Sequence, residues 1–138
     1  MARYALDASV VLARLLREDY SLVNEFWALL TMEDELFGAQ LLLPECASVI
    51  RENVWLSRLT RDEGQNAIVD LIALPITTCL ERQQFSRAVA LAERFQKLKA
   101  YDMQYLAAAE IVQAELVTIN GGLRQAAIEL RHPVRLLR

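Results

Sequence analysis

The chain has 138 residues, a common size for one domain, and its 54% hydrophobic content is enough for a substantial core. No stretch reaches the roughly 18 consecutive apolar residues of a transmembrane helix, and the N-terminus has no apolar signal segment, so we expect a soluble, cytoplasmic protein without membrane contact. The net charge of −3 excludes a protein that coats nucleic acid by bulk electrostatics, because that mode requires clustered Lys and Arg.

Hydrophobic periodicity predicts alternating strands and helices in the first half of the chain. The pattern indicates a strand at 4–7, helices at 9–17 and 21–32, a strand at 37–40 and a helix at about 42–59. Pro44 is compatible with this last helix only near its first turn, because proline cannot donate a hydrogen bond inside a helix. Glu45 is therefore predicted to lie near a helix start.

The second half continues the alternation. Thr60 and Glu63 form a capping-box pattern at the start of a helix that Pro75 ends at about residue 74. A strand at 76–79, helices at 83–98 and 101–114, a strand at 116–118, a helix at 123–131 and a strand at 134–136 follow. This order is typical of an α/β fold with a parallel sheet, and we expect a single domain over residues 1–138. The isolated Cys46 and Cys79 are predicted to be reduced, buried thiols.

Four polar residues occupy places where a parallel α/β sheet collects its ligand groups, near the carboxyl ends of its strands. Asp7 closes the first strand, Asn120 follows a later one, and Asp102 and Glu45 lie near helix starts. Each alone is also explained as a cap, a first-turn acid or a turn residue. Together, the three acids suit Mg²⁺, which takes oxygen ligands and usually one or two carboxylates with waters.

The sequence resembles the PIN-domain nucleases, and within them the VapC-type toxins of bacterial and archaeal toxin–antitoxin pairs. Three motifs carry the resemblance, in order and over nearly the whole chain: YALDAS at 4–9, LLLPECA at 41–47 and YDMQYLAAAE at 101–110. They match the family's Asp-x-Ser after the opening strand, its helix-start Glu and its Tyr-Asp-x-x-Tyr-Leu-Ala-x-Ala-Glu pattern. The chain departs at the fourth motif, where the family usually has Thr-x-Asp and Asn120 stands in place of the acid.

The resemblance implies a PIN-like three-layer fold, in which helices flank a central, mostly parallel β-sheet. It also implies an endoribonuclease that uses Mg²⁺, with Mn²⁺ as a possible substitute, to polarise a phosphodiester and help generate hydroxide. Asp7 and Asp102 are expected to be direct metal ligands, and Glu45 to be a ligand or to orient the attacking water. Because an amide at position 120 adds no charge, we expect one tightly held ion. The expected supporting residues, through hydrogen bonds, are Ser9, Thr118 and Asn120.

The same resemblance implies three partners: an RNA substrate, a cognate antitoxin whose peptide fills the active-site groove, and a second copy of the chain. A helix around Phe26, Trp27, Leu29 and Leu30 is a candidate dimer surface, although burial in the core explains its apolar residues equally well. Contacts to RNA require local basic groups. The candidates are Arg14, Arg17, Arg51, Lys97, Lys99 and Arg124.

Three alternatives remain open at the level of sequence. Loss of the fourth acid at Asn120 is compatible with a catalytically weakened or inactive PIN-like domain that binds RNA or protein. The same acids also fit an RNA-processing or DNA-directed nuclease that is not a toxin. A phosphatase of the HAD type, with Asp7 as nucleophile, is disfavoured because Ser9 stands where that family has its second aspartate.

Overall fold

The computed structural model describes all residues, 1–138, and contains five strands and seven helices. None of the helices combines the length and apolar character that a membrane span requires. The strands are β1 (Arg3–Leu6), β2 (Glu35–Gly38), β3 (Ile76–Thr78), β4 (Glu115–Thr118) and β5 (Val134–Leu136). The helices are α1 (Ala8–Leu15), α2 (Ser21–Leu29), α3 (Leu42–Trp55), α4 (Arg61–Ala73), α5 (Gln83–Arg94), α6 (Tyr101–Val112) and α7 (Gly121–Glu129).

All strands pair in parallel in one sheet of order β3-β2-β1-β4-β5, which confirms the predicted α/β class. From β1 the chain moves outward through β2 to β3, crosses the sheet, and then moves in the other direction from β4 to β5. The strand order therefore reverses between β1 and β4. In open parallel sheets a crevice forms at this point beyond the carboxyl ends of the strands, and ligands bind there.

Two groups of helices cover the sheet. Helix α1 contacts α2, α3 and α4, whereas α6 contacts α5 and α7. Right-handed crossovers place these two groups on opposite faces, because the chain runs in opposite directions on either side of the reversal. The resulting three layers enclose one cluster of 33 buried residues. In α6, Ala107, Ala108 and Ala109 are almost fully buried, and their small side chains allow the helix to approach the sheet closely.

Local signals in the sequence explain several helix starts. Asp7 and Asn120 cap α1 and α7 through their side-chain oxygens, and the capping box of Thr60 and Glu63 is present at the start of α4. Cys46 and Cys79 are free and buried, as predicted.

Candidate functional site

Asp7 lies directly after β1, at the point where the strand order reverses, and only 3% of its surface is exposed. Its Oδ1 accepts hydrogen bonds from the backbone N–H groups of Ser9 at 2.9 Å and Val10 at 3.4 Å, and from the Ser9 hydroxyl. Its Oδ2 accepts one from the hydroxyl of Thr118 at the end of β4. The carboxylate is therefore held from its own helix and from the neighbouring strand.

No positively charged side chain of the protein pairs with Asp7. Burial raises the pKa of the Asp7 carboxyl above its ordinary value, since desolvation disfavours the charged form, while the hydrogen bonds from Ser9, Thr118 and Val10 oppose this effect. A buried carboxylate that has only neutral donors lacks a counter-charge. The ion pairs of the molecule lie elsewhere: Arg3–Glu35, Arg87–Glu110 and Arg135–Glu115.

The expected supporting residues lie in one network around Asp7. The hydroxyl oxygen of the fully buried Thr118 accepts a hydrogen bond from the backbone N–H of Asn120 at 2.9 Å, and Oγ of Ser9 accepts one from Ile119 at 3.3 Å. The Asn120 side chain is exposed, and its Oδ1 accepts from the N–H groups of Gly122 at 2.8 Å and Leu123 at 3.1 Å. Its oxygen is thus engaged in capping α7.

Glu45 lies in the first turn of α3, half-buried, and its Oε2 accepts a hydrogen bond from the phenol of Tyr105 in α6. Burial, the hydrogen bond to Glu45 and the negative charges of Glu45 and Asp7 raise the pKa of Tyr105. Burial, and to a smaller extent the negative charges of Glu45 and Asp7, raise the pKa of the Cys46 thiol to about 12. Both carboxylates therefore act electrostatically on Tyr105 and Cys46.

Tyr105 is the residue to which sequence reasoning assigned no role, although it lies inside the third motif. The available signal was its spacing: it follows Asp102 by three residues, and positions i and i+3 share one side of a helix. Its hydrogen bond to a residue 60 positions away in the chain became visible only in the folded structure.

Asp102 occupies the first turn of α6, where it is exposed and has no hydrogen bond or ion pair to the protein. The structure does not bring Asp7, Glu45 and Asp102 into one cluster, since no group of three or more His, Cys, Asp or Glu side chains is arranged to hold a metal ion. Glu45 contacts Tyr105 of α6, and Asp102 lies one helical turn before that tyrosine.

The chemistry of these donors fits a hard divalent cation. All candidate ligands are carboxylate oxygens, and Mg²⁺ usually binds one or two carboxylates while keeping several waters, so three converging carboxylates are not required. Zn²⁺ fits less well, because its sites usually include Cys or His, and Nε2 of His132, the single histidine, lies 2.8 Å from the Ala114 carbonyl oxygen. A divalent cation would supply the counter-charge that the Asp7 carboxylate lacks, and Asp102 has no competing protein partner.

The residues predicted to form a dimer surface or to contact RNA make contacts within the chain that are common in folded proteins. Phe26 is buried in the core, and Trp27 donates a hydrogen bond from Nε1 to the Val10 carbonyl at 3.3 Å. The exposed large apolar residues of α2 are Leu29, 70% exposed, and Leu22, 42% exposed. Of the basic candidates, three lie over aromatic rings, at 4.8 to 5.9 Å from the centroid: Arg14 over Trp27, Arg51 over Trp55 and Lys99 over Tyr101.

No protein-family model and no curated protein matches this sequence. Solved structures do match it, at low sequence identity. VapBC2 from Rickettsia felis, bound to a DNA fragment from its promoter, has a TM-score of 0.71 and 12% identity, with 99% of both chains covered. VapC20 from Mycobacterium tuberculosis, a Sarcin-Ricin loop cleaving toxin, has a TM-score of 0.69 and 13% identity over 91% of this chain and 95% of that one.

VapBC-1 from nontypeable Haemophilus influenzae gives a TM-score of 0.68 and 15% identity over 98% of each chain. These likenesses are likenesses of fold, and they extend over nearly the whole chain. The expected α/β PIN-like fold of the VapC-type structures is therefore confirmed.

Proposed function

We propose that this chain, whose PIN-like fold is that of the VapC toxins, is a Mg²⁺-dependent endoribonuclease and the toxin of a toxin–antitoxin pair in the cytoplasm. One observation carries the proposal: a buried carboxylate, Asp7, lies at the reversal of the strand order, and its partners are all neutral hydrogen-bond donors. A divalent cation supplies the counter-charge that this carboxylate lacks. The likeness to VapC20, a Sarcin-Ricin loop cleaving toxin, supports the same activity.

In this proposal Asp7 and Asp102 hold the Mg²⁺, or Mn²⁺, and Glu45 holds it or orients the attacking water. When bound, the ion supplies a Lewis acid for the phosphodiester and a source of nucleophile at neutral pH. Ser9 and Thr118 fix the Asp7 carboxylate in one orientation. Tyr105 engages Oε2 of Glu45, which leaves Oε1 free to accept a proton from water.

Cleavage of RNA with and without divalent ions tests this function. We expect the wild-type chain to cut single-stranded RNA in Mg²⁺ or Mn²⁺ and to lose that activity in EDTA. Asp7→Asn, purified in the same way, serves as the control for contaminating ribonuclease and should be inactive. Cleavage that persists in EDTA, or in Asp7→Asn, contradicts the proposal.

A second candidate function is a non-catalytic PIN-like domain that binds RNA or protein. The capping role of Asn120 favours it, because the oxygen of the residue in the fourth motif is already engaged by Gly122 and Leu123. Asn120→Asp separates the two candidates, since aspartate caps a helix as well as asparagine does. Cleavage that appears only in the variant favours the non-catalytic domain, whereas cleavage by both proteins favours the nuclease.

The toxin assignment includes an antitoxin and a second copy of the chain as partners. An apolar cavity of about 750 Å³ between α3 and α4 is available for an antitoxin helix, and its lining includes Ile50, Val54, Gly64 and Ile68. Several structural neighbours are toxin–antitoxin complexes. A small open reading frame directly upstream of the gene would favour a toxin over a processing nuclease, and size-exclusion chromatography of the purified chain tests the dimer.

A further inference from the structure

Two positively charged side chains from distant parts of the chain approach the two glycines that open α7. Nζ of Lys97 lies 3.9 Å, and Oδ1 of Asn120 3.2 Å, from the point where Gly122 would carry a Cβ. Nη1 of Arg138 lies 3.6 Å from the corresponding point at Gly121. Neither basic side chain belongs to an ion pair of the molecule.

The backbone of Lys97 is fixed, although its side chain is exposed. Helix α5 ends at Arg94, and two residues later Gln96 lies in the left-handed region, at φ 54°. The N–H of the next residue, Lys97, donates to the carbonyl of Ala92 at 2.7 Å. This is the hydrogen bond that defines a Schellman helix end. Lys97 is thus held at a defined place beside α7.

Arg138 reaches the same place from the other side. It follows β5, and the preceding residue, Leu137, donates its N–H to the carbonyl of Thr118 at 2.9 Å. Thr118 in turn contacts Asp7, so Arg138 lies at the edge of the sheet where the candidate metal ligands lie.

Gly121 and Gly122 are explained by the space that they leave open and not by their backbone conformation. No glycine of the chain has a positive φ, so the backbone at Gly121 and Gly122 does not require glycine. What the missing side chains provide is open room between the two basic groups and the start of α7.

We propose that Lys97 and Arg138 bind phosphate groups of the RNA strand next to the carboxylate site, and thereby position the substrate. This inference rests on the proposed ribonuclease function and names the two residues that hold its substrate. Phosphate is the ligand that suits paired Lys and Arg groups, because both make charge-assisted hydrogen bonds to its oxygens. The neutral Asn120 keeps Lys97 available, whereas an aspartate there would compete with phosphate for its ammonium group.

Binding of a short, labelled single-stranded RNA in EDTA, followed by fluorescence anisotropy at several salt concentrations, tests the inference without cleavage. Lys97→Ala and Arg138→Ala should each weaken binding roughly fivefold and lower the slope of log affinity against log salt by about one. Lys97→Arg should bind almost as wild type does. Arg82→Ala is the matched control, since it removes one positive charge from an exposed side chain at the opposite end of α5.

Wild-type affinity in both alanine variants, an equal loss in Arg82→Ala, or absence of RNA binding by the wild-type chain overturns the inference. The result is separable from that of the cleavage assay. Loss of RNA binding in Lys97→Ala, in a protein that never cleaves RNA, leaves the phosphate contact standing and removes the nuclease. Metal-dependent cleavage with unchanged RNA affinity in Lys97→Ala removes the phosphate contact and leaves the nuclease standing.

Discussion

The hydroxyl of Thr118 donates a hydrogen bond to Oδ2 of Asp7 and so joins the ends of β4 and β1, the two strands between which the sheet order reverses. The two residues are 111 positions apart in the chain. The orientation of the Asp7 carboxylate therefore depends on the correct pairing of the central strands, and the site forms only when the sheet does.

Thr118→Val should destabilise the protein and impair the site. Valine has nearly the same shape, but it leaves Oδ2 of Asp7 without its donor and the Asn120 N–H without its acceptor. Because Thr118 is fully buried, water cannot replace these bonds, and we expect a loss of about 1–3 kcal/mol in the free energy of unfolding by urea. Thr118→Ser keeps the hydroxyl and should retain metal-dependent cleavage; equal defects in both variants would indicate that the methyl group matters instead.

Asp7→Asn should abolish cleavage without lowering the stability of the metal-free protein. Burial raises the folded-state pKa of Asp7 above its ordinary value of 3.8, so the contribution of this group to stability is complete below that pH and is lost as the pH rises through the folded-state pKa. Asparagine does not ionise. The free energy of unfolding of the variant relative to wild type, measured in EDTA, should therefore increase as the pH rises from 3.8.

Magnesium provides the complementary measurement on the same two proteins. Added Mg²⁺ should raise the melting temperature of wild type at neutral pH, because it binds the folded state, and should leave that of Asp7→Asn unchanged. An equal Mg²⁺-dependent shift in both proteins would falsify the assignment of Asp7 as a ligand.

Tyr105→Phe should lower activity while the fold is kept. The phenol fixes Oε2 of Glu45, and loss of a residue that orients a metal ligand typically reduces activity or metal affinity about 10- to 100-fold. The cost in stability should be about 1 kcal/mol, since the half-buried Glu45 can then bind water. Tyr101→Phe, at an exposed position in the same helix, is the control and should behave as wild type; full activity of Tyr105→Phe would exclude the positioning role.

The order of the elements was predictable from the sequence, but the ends of the helices were not. Helices predicted to end at residues 59 and 98 end at Trp55 and Arg94. A left-handed residue follows the end of many helices, and glycine or asparagine at that place is the signal in a sequence. Here five helices are followed by other residues in this conformation: Arg17, Ser57, Gln96, Gln113 and Arg131.

In the candidate site, too, some features could be predicted from the sequence and others could not. The position of Asp7 could be predicted, because Asp7 directly follows a strand and caps the next helix. Both features depend only on residues that are close to Asp7 in the sequence. The partnership of Glu45 with Tyr105 could not, because it depends on how α3 and α6 approach each other. The missing signal was tertiary geometry, since neither residue type is unusual at its position.

Asp102→Asn provides a test in which stability and function should separate. Asp102 is exposed and has no partner in the protein, so its replacement should change the free energy of unfolding by less than about 0.5 kcal/mol. If Asp102 is a metal ligand, the variant should bind Mg²⁺ more weakly and cleave RNA poorly.

Asp62→Asn is a matched control, because Asp62 is an exposed acid at the second position of α4, as Asp102 is of α6. Both variants lose the same favourable charge at a helix start. Isothermal titration with Mg²⁺ should therefore distinguish them, and identical titrations for Asp102→Asn, Asp62→Asn and wild type would remove Asp102 from the metal site and leave Asp7 and Glu45 as its carboxylates.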